Sequence, residues 1–329
     1  IQNSKSELHR LPYGVPQGSL VGPFTFPKYT QPISRIAEKH NICFHLYADD
    51  TQLYCSFDQG SGEEAAAQLE ACVEDIRQWM KSNMLKLNDS KTEFLLIHSK
   101  HMLGKELEVS SLKVGDSNVP ASDSARNIGV IMDGKLSMVD HVKAICKSAY
   151  LNLRNISHVR RYLTEDATTT LIHSLVISKL DNLNALLYGL PDTLINRLQL
   201  LQNHAAKLIK RKKKHDHVTP LLIELHWLPV QTRIRYKIIL LTFKCLNGKA
   251  PKYLADLLEA YNPARSLRSS SQNLLKEKPG RLKSYGDRAF SVAAPRLWNS
   301  LPADLRSMSS LETFKRHLKT YLFKDTYGV

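Results

Sequence analysis

Tyr47-Ala48-Asp49-Asp50 places two adjacent carboxylates inside a run of β-branched and aromatic residues, ICFHLYADDTQLYCSF at 42–57. Apolar stretches flanking a short acidic centre predict a hairpin with its turn near Ala48 and Asp49. Carboxylates held side by side repel one another and become comfortable when a divalent cation sits between them. Phosphoryl and nucleotidyl transfer use that arrangement: two Mg²⁺ ions about 4 Å apart activate an attacking hydroxyl and stabilise the leaving pyrophosphate. The plainer alternative is an ordinary turn, where Asp is common. The apolar support on both flanks favours a site.

A second cluster is Gly14-Val15-Pro16-Gln17-Gly18-Ser19. Glycines let the backbone approach a phosphate or base closely, and Gln17 adds an amide that could touch a nucleotide. Ser19 could equally cap the helix that follows. Lys91, in Ser90-Lys91-Thr92-Glu93, reads by itself as a solvated lysine in a turn. His215-Asp216-His217 has two possible metal ligands, with His173 and His204 in neighbouring segments, but no further ligand in register.

The elements that must position these groups are legible from periodicity. Residues 11–23 are dense in Gly and Pro and read as a shaped loop. Ile33, Ile36 and Ala37 have helical spacing, with Pro27 and Pro32 as expected breakers. Ser61-Gly62-Glu63-Glu64 reads as a capping box opening a helix with Leu69, Val73, Ile76, Trp79, Met80 and Met84 on one stripe. Asn88 and Asp89 are expected to end it. Phe94–Ile97 reads as a strand, and 105–132 as two or three more, broken at Gly115-Asp116 and Pro120. From Asp140 the period is helical, with helices expected at 138–163, 165–188, 192–213, 229–247, 251–260 and 310–324.

Length and composition narrow the class. At 329 residues with 43% hydrophobic and 23% charged side chains, collagen-like, mucin-like and wholly disordered chains are excluded. No stretch reaches the roughly 18 apolar residues of a membrane helix, and Ile1–Arg10 lacks the apolar core of a signal peptide. Five scattered cysteines with no C-x-x-C pair predict no disulfide partner and no zinc ribbon, and suit a reducing compartment.

Charge is unevenly spread. Residues 1–140 hold 14 basic and 18 acidic groups, a net of −4; residues 141–329 hold 32 and 13, a net of +19, together the +15 of the whole chain. An acidic front and a basic back suggest chemistry in one part and a grip on a polyanion in the other. Lys207 and Lys210-Arg211-Lys212-Lys213-Lys214, expected to close a helix, form the first candidate patch. Arg233, Arg235 and Lys237, alternating with Tyr236, form the second. Solvated helix faces are the alternative.

Order and spacing then produce a resemblance. GVPQGS at 14–19, YADDTQLY at 47–54 and WMKSNMLKLNDSKTE at 79–93 together resemble the palm of reverse transcriptases from LINE-type (non-long-terminal-repeat) retrotransposons. LRNI at 153–156, LDNLNALLYGLP at 180–191, RLQLLQNHAAKLI at 197–209 and LHWLPVQTRIRYKIILLTFKCL at 225–246 are similar to the region after the palm in vertebrate chicken-repeat-type elements. GDRAFSVAAPRLWNSLP at 286–302 resembles their C-terminal end.

The resemblance implies an α+β fold with four segments. They are a partial polymerase palm over 1–137, a helical thumb-like nucleic-acid-binding region over 138–261, a linker at 262–287 and a small C-terminal helical module at 288–329. It implies an RNA-directed DNA polymerase that uses Mg²⁺ or Mn²⁺, an RNA template, a DNA primer and deoxynucleoside triphosphates, inside the cell in the nucleus or a cytoplasmic ribonucleoprotein. Asp49 matches the principal metal ligand and Asp50 its neighbour. Tyr47 and Ala48 would lie under the primer terminus and incoming nucleotide, Gln17 and Gly18 would line the template and nucleotide pocket, and Lys91 would stand near the triphosphate.

One departure sets a further expectation. The family's palm carries another metal-binding Asp on a strand well before GVPQGS, whereas thirteen residues precede Gly14 and none is Asp. Glu7 sits in no matching strand pattern. With that Asp, the fingers and an upstream endonuclease missing, and no initial Met, the chain is expected to be a fragment that does not polymerise alone and that keeps at least a nucleic-acid-binding helical half.

Overall fold

A computed structural model describes residues 18–98, 109–261, 273–280 and 285–329. The described residues of Ile1–Ala125, with Asp133–Lys135, form one compact unit, and those of Arg126–Met132 with Leu136–Val329 form a second. The fold is α+β, with small antiparallel sheets followed by many helices.

In the first unit α1 (Gly22–Thr30) and α2 (Pro32–Lys39) precede a hairpin of β1 (Cys43–Tyr47) and β2 (Asp50–Tyr54), and α3 (Gly62–Ser82) follows. The alternation of the hairpin decides its packing. Phe44, Leu46 and Leu53 join the core formed by Ile33, Ala37, Ile42, Cys72 and Ile76 from α2, its exit and α3. β3 (Ser111–Val114) and β4 (Ser117–Pro120) make a second hairpin on α3. Gly115 turns it with φ +60, a backbone conformation that favours glycine. A third hairpin, β5 (Ser124–Asn127) and β6 (Val130–Asp133), leads into the helices.

Several expectations for this unit need correction. Pro32 does not break a helix; it opens α2 at the first position, where a missing N–H costs nothing. Pro27 lies inside α1, which runs on to Thr30 despite the lost hydrogen bond. Ser61 precedes α3 but makes no capping bond; its hydroxyl donates to the Asp58 carbonyl (2.9 Å). α3 ends at Ser82, where the Asn83 amide donates to the Trp79 carbonyl (2.8 Å), so Met84 falls beyond it and is 88% exposed. Phe94–Ile97 contributes only an isolated parallel bridge, Phe94 to Ala121.

The second unit is helical. α4 (Val139–Val159), α5 (Glu165–Ile172), α6 (Ser178–Asp181), α7 (Asp192–Ile209) and α8 (Thr219–Glu224) lead to α9 (Val230–Leu246). Then come α10 (Lys252–Ala255), α11 (Phe290–Asn299), α12 (Ala303–Arg306) and α13 (Leu311–Tyr327). α9 is central: Ile234, Ile238, Ile239, Thr242 and Phe243 are buried around more than one face, and α7, α11 and α13 all pack on it. Phe243 stacks on Phe314 (centroids 4.1 Å apart), with Trp298 beside Phe314 at 5.9 Å. The C-terminal residues thus complete the core that α7 and α9 begin.

Here too the sequence reading is corrected. The expected helix 165–188 is α5, a π-helical turn at His173–Ile177 and α6, ending at Asp181. The expected helix 192–213 stops at Ile209, and 251–260 keeps only α10. α8 and α11 were not expected as helices. Pro220 at the start of α8 acts as an initiator, and Pro295 is buried inside α11. No helix among the described residues is long and apolar enough to cross a membrane, and all five cysteines are free thiols.

Candidate active site and nucleic-acid surface

The acidic hairpin is built as its sequence suggests. β1 and β2 pair antiparallel, with Tyr47 opposite Asp50, so Ala48 and Asp49 form a two-residue turn. Ala48 has φ +53, in the left-handed region that costs a residue with a Cβ about 1–2 kcal/mol. Opposite residues share a face, so Cys43, His45, Tyr47, Asp50, Gln52 and Tyr54 all lie on the face away from the core, and all are exposed. The His45 and Tyr54 rings stack on it at 6.2 Å. The tip therefore presents a carboxylate beside a tyrosine, backed by a polar and aromatic strip.

Asp49 and Asp50 are both exposed, and their hard oxygens suit Mg²⁺ or Mn²⁺. No group of three or more His, Cys, Asp or Glu side chains is placed to hold a metal among the described residues. The pair therefore fits a divalent cation as two of its ligands and not as a complete site.

Of the glycine-rich loop, residues 14–17, Gln17 included, lie outside the described residues. Gly18 is exposed with φ +87, a conformation that calls for glycine. The Ser19 hydroxyl accepts the Gly22 N–H (2.9 Å) and so steadies the start of α1. Lys91 ends a 3₁₀ turn, Asp89–Lys91, and is exposed.

The basic residues divide into two groups. Lys210 is largely buried and donates to both Glu165 and Glu224 at 2.5 Å, which raises its pKa. Arg233 makes a two-point ion pair with Asp181, and Arg235 reaches Asp325 at 3.6 Å. These three hold helices together. Lys212, Lys213 and Lys214 are instead exposed, on a loop past the end of α7 and not in its last turn. That loop is folded: Lys207 Nζ donates to the Lys214 carbonyl (2.6 Å), Arg211 to the Leu163 carbonyl (3.3 Å), and the Lys213 N–H to Asp216 (2.7 Å). Lys237 is half-buried on α9.

The histidines do not converge. Tyr150 bonds the His204 Nδ1 at 3.1 Å, and His173 stands edge-on to Trp227 at 5.4 Å. One residue that pattern reasoning missed is Arg160. It is 7% exposed and donates to the carbonyls of Leu163, Leu208 and Ile209, capping the end of α7 from which the basic loop departs. Its position in Arg160-Arg161 carries no signal of burial, because two of the three carbonyls it serves, those of Leu208 and Ile209, are almost fifty residues away.

Comparison with known proteins gives likenesses for parts of the chain. Residues 1–132 match the family model described as reverse transcriptase (RNA-dependent DNA polymerase). Over 222 residues the chain is 25% identical to the "Probable RNA-directed DNA polymerase from transposon BS" of Drosophila melanogaster. That alignment covers 64% of this chain and 23% of that protein, so the chain spans about a quarter of that relative's length. No solved structure matches. These likenesses support a relationship to the RNA-directed DNA polymerases of retrotransposons, with the reverse transcriptase match lying in the first 132 residues.

Proposed function

We propose that this chain is a working part of a LINE-type retrotransposon reverse transcriptase, its hairpin tip serving nucleotidyl transfer and its basic helical unit holding a primer–template duplex. The observation that carries this reading is the strained two-residue turn that exposes Asp49 at the hairpin tip beside Asp50, which lies on an exposed, polar and aromatic face. A bound divalent cation there supplies charge neutralisation for a triphosphate and activation of a primer hydroxyl. The chain's own residues supply the rest. Asp49 and Asp50 provide two carboxylates, Tyr47 provides a ring beside them for a nucleotide or primer terminus, and Lys91 is the candidate proton donor to the leaving group. Further carboxylate ligands have to complete the set.

A second reading, nucleic-acid binding without synthesis, is favoured by the absence of a third ligand around Asp49 and Asp50 among the described residues and by the exposed Lys212–Lys214 loop. Phosphate contacts of that kind fix a duplex without reading its sequence. Three measurements on the purified chain decide. Mn²⁺ binding followed by paramagnetic relaxation is expected to weaken at least about tenfold in Asp49→Asn and in Asp50→Asn, and unchanged affinity overturns the metal assignment. Extension of an RNA-templated primer that disappears in Asp49→Asn establishes polymerisation. Salt-sensitive duplex retardation without extension selects the second reading.

A further inference from the structure

The helical unit contains a cavity of about 540 Å³ that the acidic hairpin does not share. Arg126 and Lys179 line it, and no acidic residue does. On α4, His141, Ala144, Ile145 and Ser148 fall at i, i+3, i+4 and i+7, so one helix face supplies a wall. Ser178, which opens α6 and whose hydroxyl donates to the Ser174 carbonyl, and Asn182, just past the end of α6, supply a hydroxyl oxygen and an amide.

Three features make this more than a surface dent. His141 is 6% exposed, and its Nδ1 accepts the Ile131 N–H (3.4 Å), so the neutral ring offers Nε2–H as its donor. Burial, and then the neighbouring Arg126 charge, lower the His141 pKa and keep that neutral form at pH 7. Second, Ser178 directly follows the π-helical turn His173–Ile177, and such turns concentrate at functional sites. Third, Ala144 and Ile145 give the cavity an apolar wall, and its size matches small-molecule sites of about 300–1,000 Å³ rather than a bare anion.

We infer that this cavity binds a nucleotide, its phosphate held by Arg126 and Lys179 with His141, Ser148, Ser178 and Asn182 as polar partners, and its base against Ala144 and Ile145. Two cations and several neutral polar groups with no carboxylate in the lining favour a phosphate ester. The nucleotide is either free or one residue of a bound single strand. The site uses no residue of the acidic hairpin, so it stands whether or not the chain polymerises.

Calorimetric titration of the full chain with AMP, with inorganic phosphate and with an oligodeoxyadenylate of about ten nucleotides tests it. Lys179→Gln and Arg126→Gln are each expected to weaken AMP binding about tenfold or more without lowering the melting temperature, while Lys249→Gln, at an exposed lysine outside the cavity lining, leaves it unchanged. If AMP fails but the oligonucleotide loses affinity in the same two variants, the nucleotide comes from a strand and the site stands. Three results overturn it. These are equal affinity for inorganic phosphate and AMP, an equal loss in Lys249→Gln, or no dependence of either nucleotide probe on Lys179 and Arg126.

Discussion

Tyr47 and Asp50 face each other as the last cross-strand pair of the β1–β2 hairpin, with only Ala48 and Asp49 between them. The shortest common hairpin connection forces Ala48 into the left-handed region, φ +53. An alanine held there stores strain at the tip that carries both carboxylates.

Ala48→Gly removes that strain and adds unfolded-state entropy, two opposing effects of similar size. The expected net result is a gain of up to about 1 kcal/mol in urea unfolding followed by α3 helicity and Trp79 fluorescence. Ala37→Gly, in the buried face of α2, is the control and is expected to lose about 1 kcal/mol or more. A larger loss at Ala48 than at Ala37 contradicts the strain assignment.

Arg160 serves three main-chain carbonyls with one planar guanidinium. Arg160→Met leaves those acceptors without their donor and is expected to cost about 3 kcal/mol or more in the unfolding of the helical unit, read from Trp227 and Trp298 fluorescence. Arg160→Lys should recover little, because an ammonium cannot reproduce the fork of donors. Full rescue by lysine contradicts the capping role.

Duplex binding separates the two kinds of lysine in the basic run. Replacing Lys212, Lys213 and Lys214 together by Gln is expected to make the slope of log affinity against log salt shallower by about two to three. Lys210→Met is expected to leave that slope unchanged and to lower stability instead. The pKa of Lys210 is raised by its hydrogen bonds to Glu165 and Glu224, so its contribution is complete below the ordinary lysine value and disappears as pH rises through the higher folded one. The stability gap between wild type and Lys210→Met should therefore close at strongly alkaline pH.

His141 titrates in the opposite sense. Burial and Arg126 lower its pKa, so below about 6.5 the unfolded chain takes up a proton that the folded chain refuses. Stability of the helical unit should fall as pH drops from about 7 to 5, and His141→Gln should flatten part of that slope. His173 and His204, lowered first by burial as well, account for the remainder. An unchanged slope in His141→Gln contradicts the buried neutral ring.

The parts of the fold legible in the sequence are those governed by near neighbours. The β-branched and aromatic residues flanking the acidic centre placed the hairpin and its Ala48-Asp49 turn, because a short loop leaves little choice, while which residues face inward follows from the period of two once the strands are paired. Trp227 and Trp298 are buried as large apolar surfaces generally are. Proline was read less well: Pro32 and Pro220 start helices, and only the position of the preceding cap tells a starter from a breaker.

By itself the sequence determined the acidic tip, the helical character after Asp140 and the excess of positive charge in the second half, all set by composition or by residues within a few positions of one another. Only the tertiary structure decided which cations remain available. Lys210 meets Glu165 across 45 positions and Arg233 meets Asp181 across 52, while Lys212 to Lys214 stay open to solvent. Tertiary packing likewise laid Phe314 on Phe243 and closed the Arg126–Lys179 cavity. The physical reason is that an ion pair or a cavity wall depends on distance in space, and a periodic pattern along the chain reports only which face is buried, not what it meets.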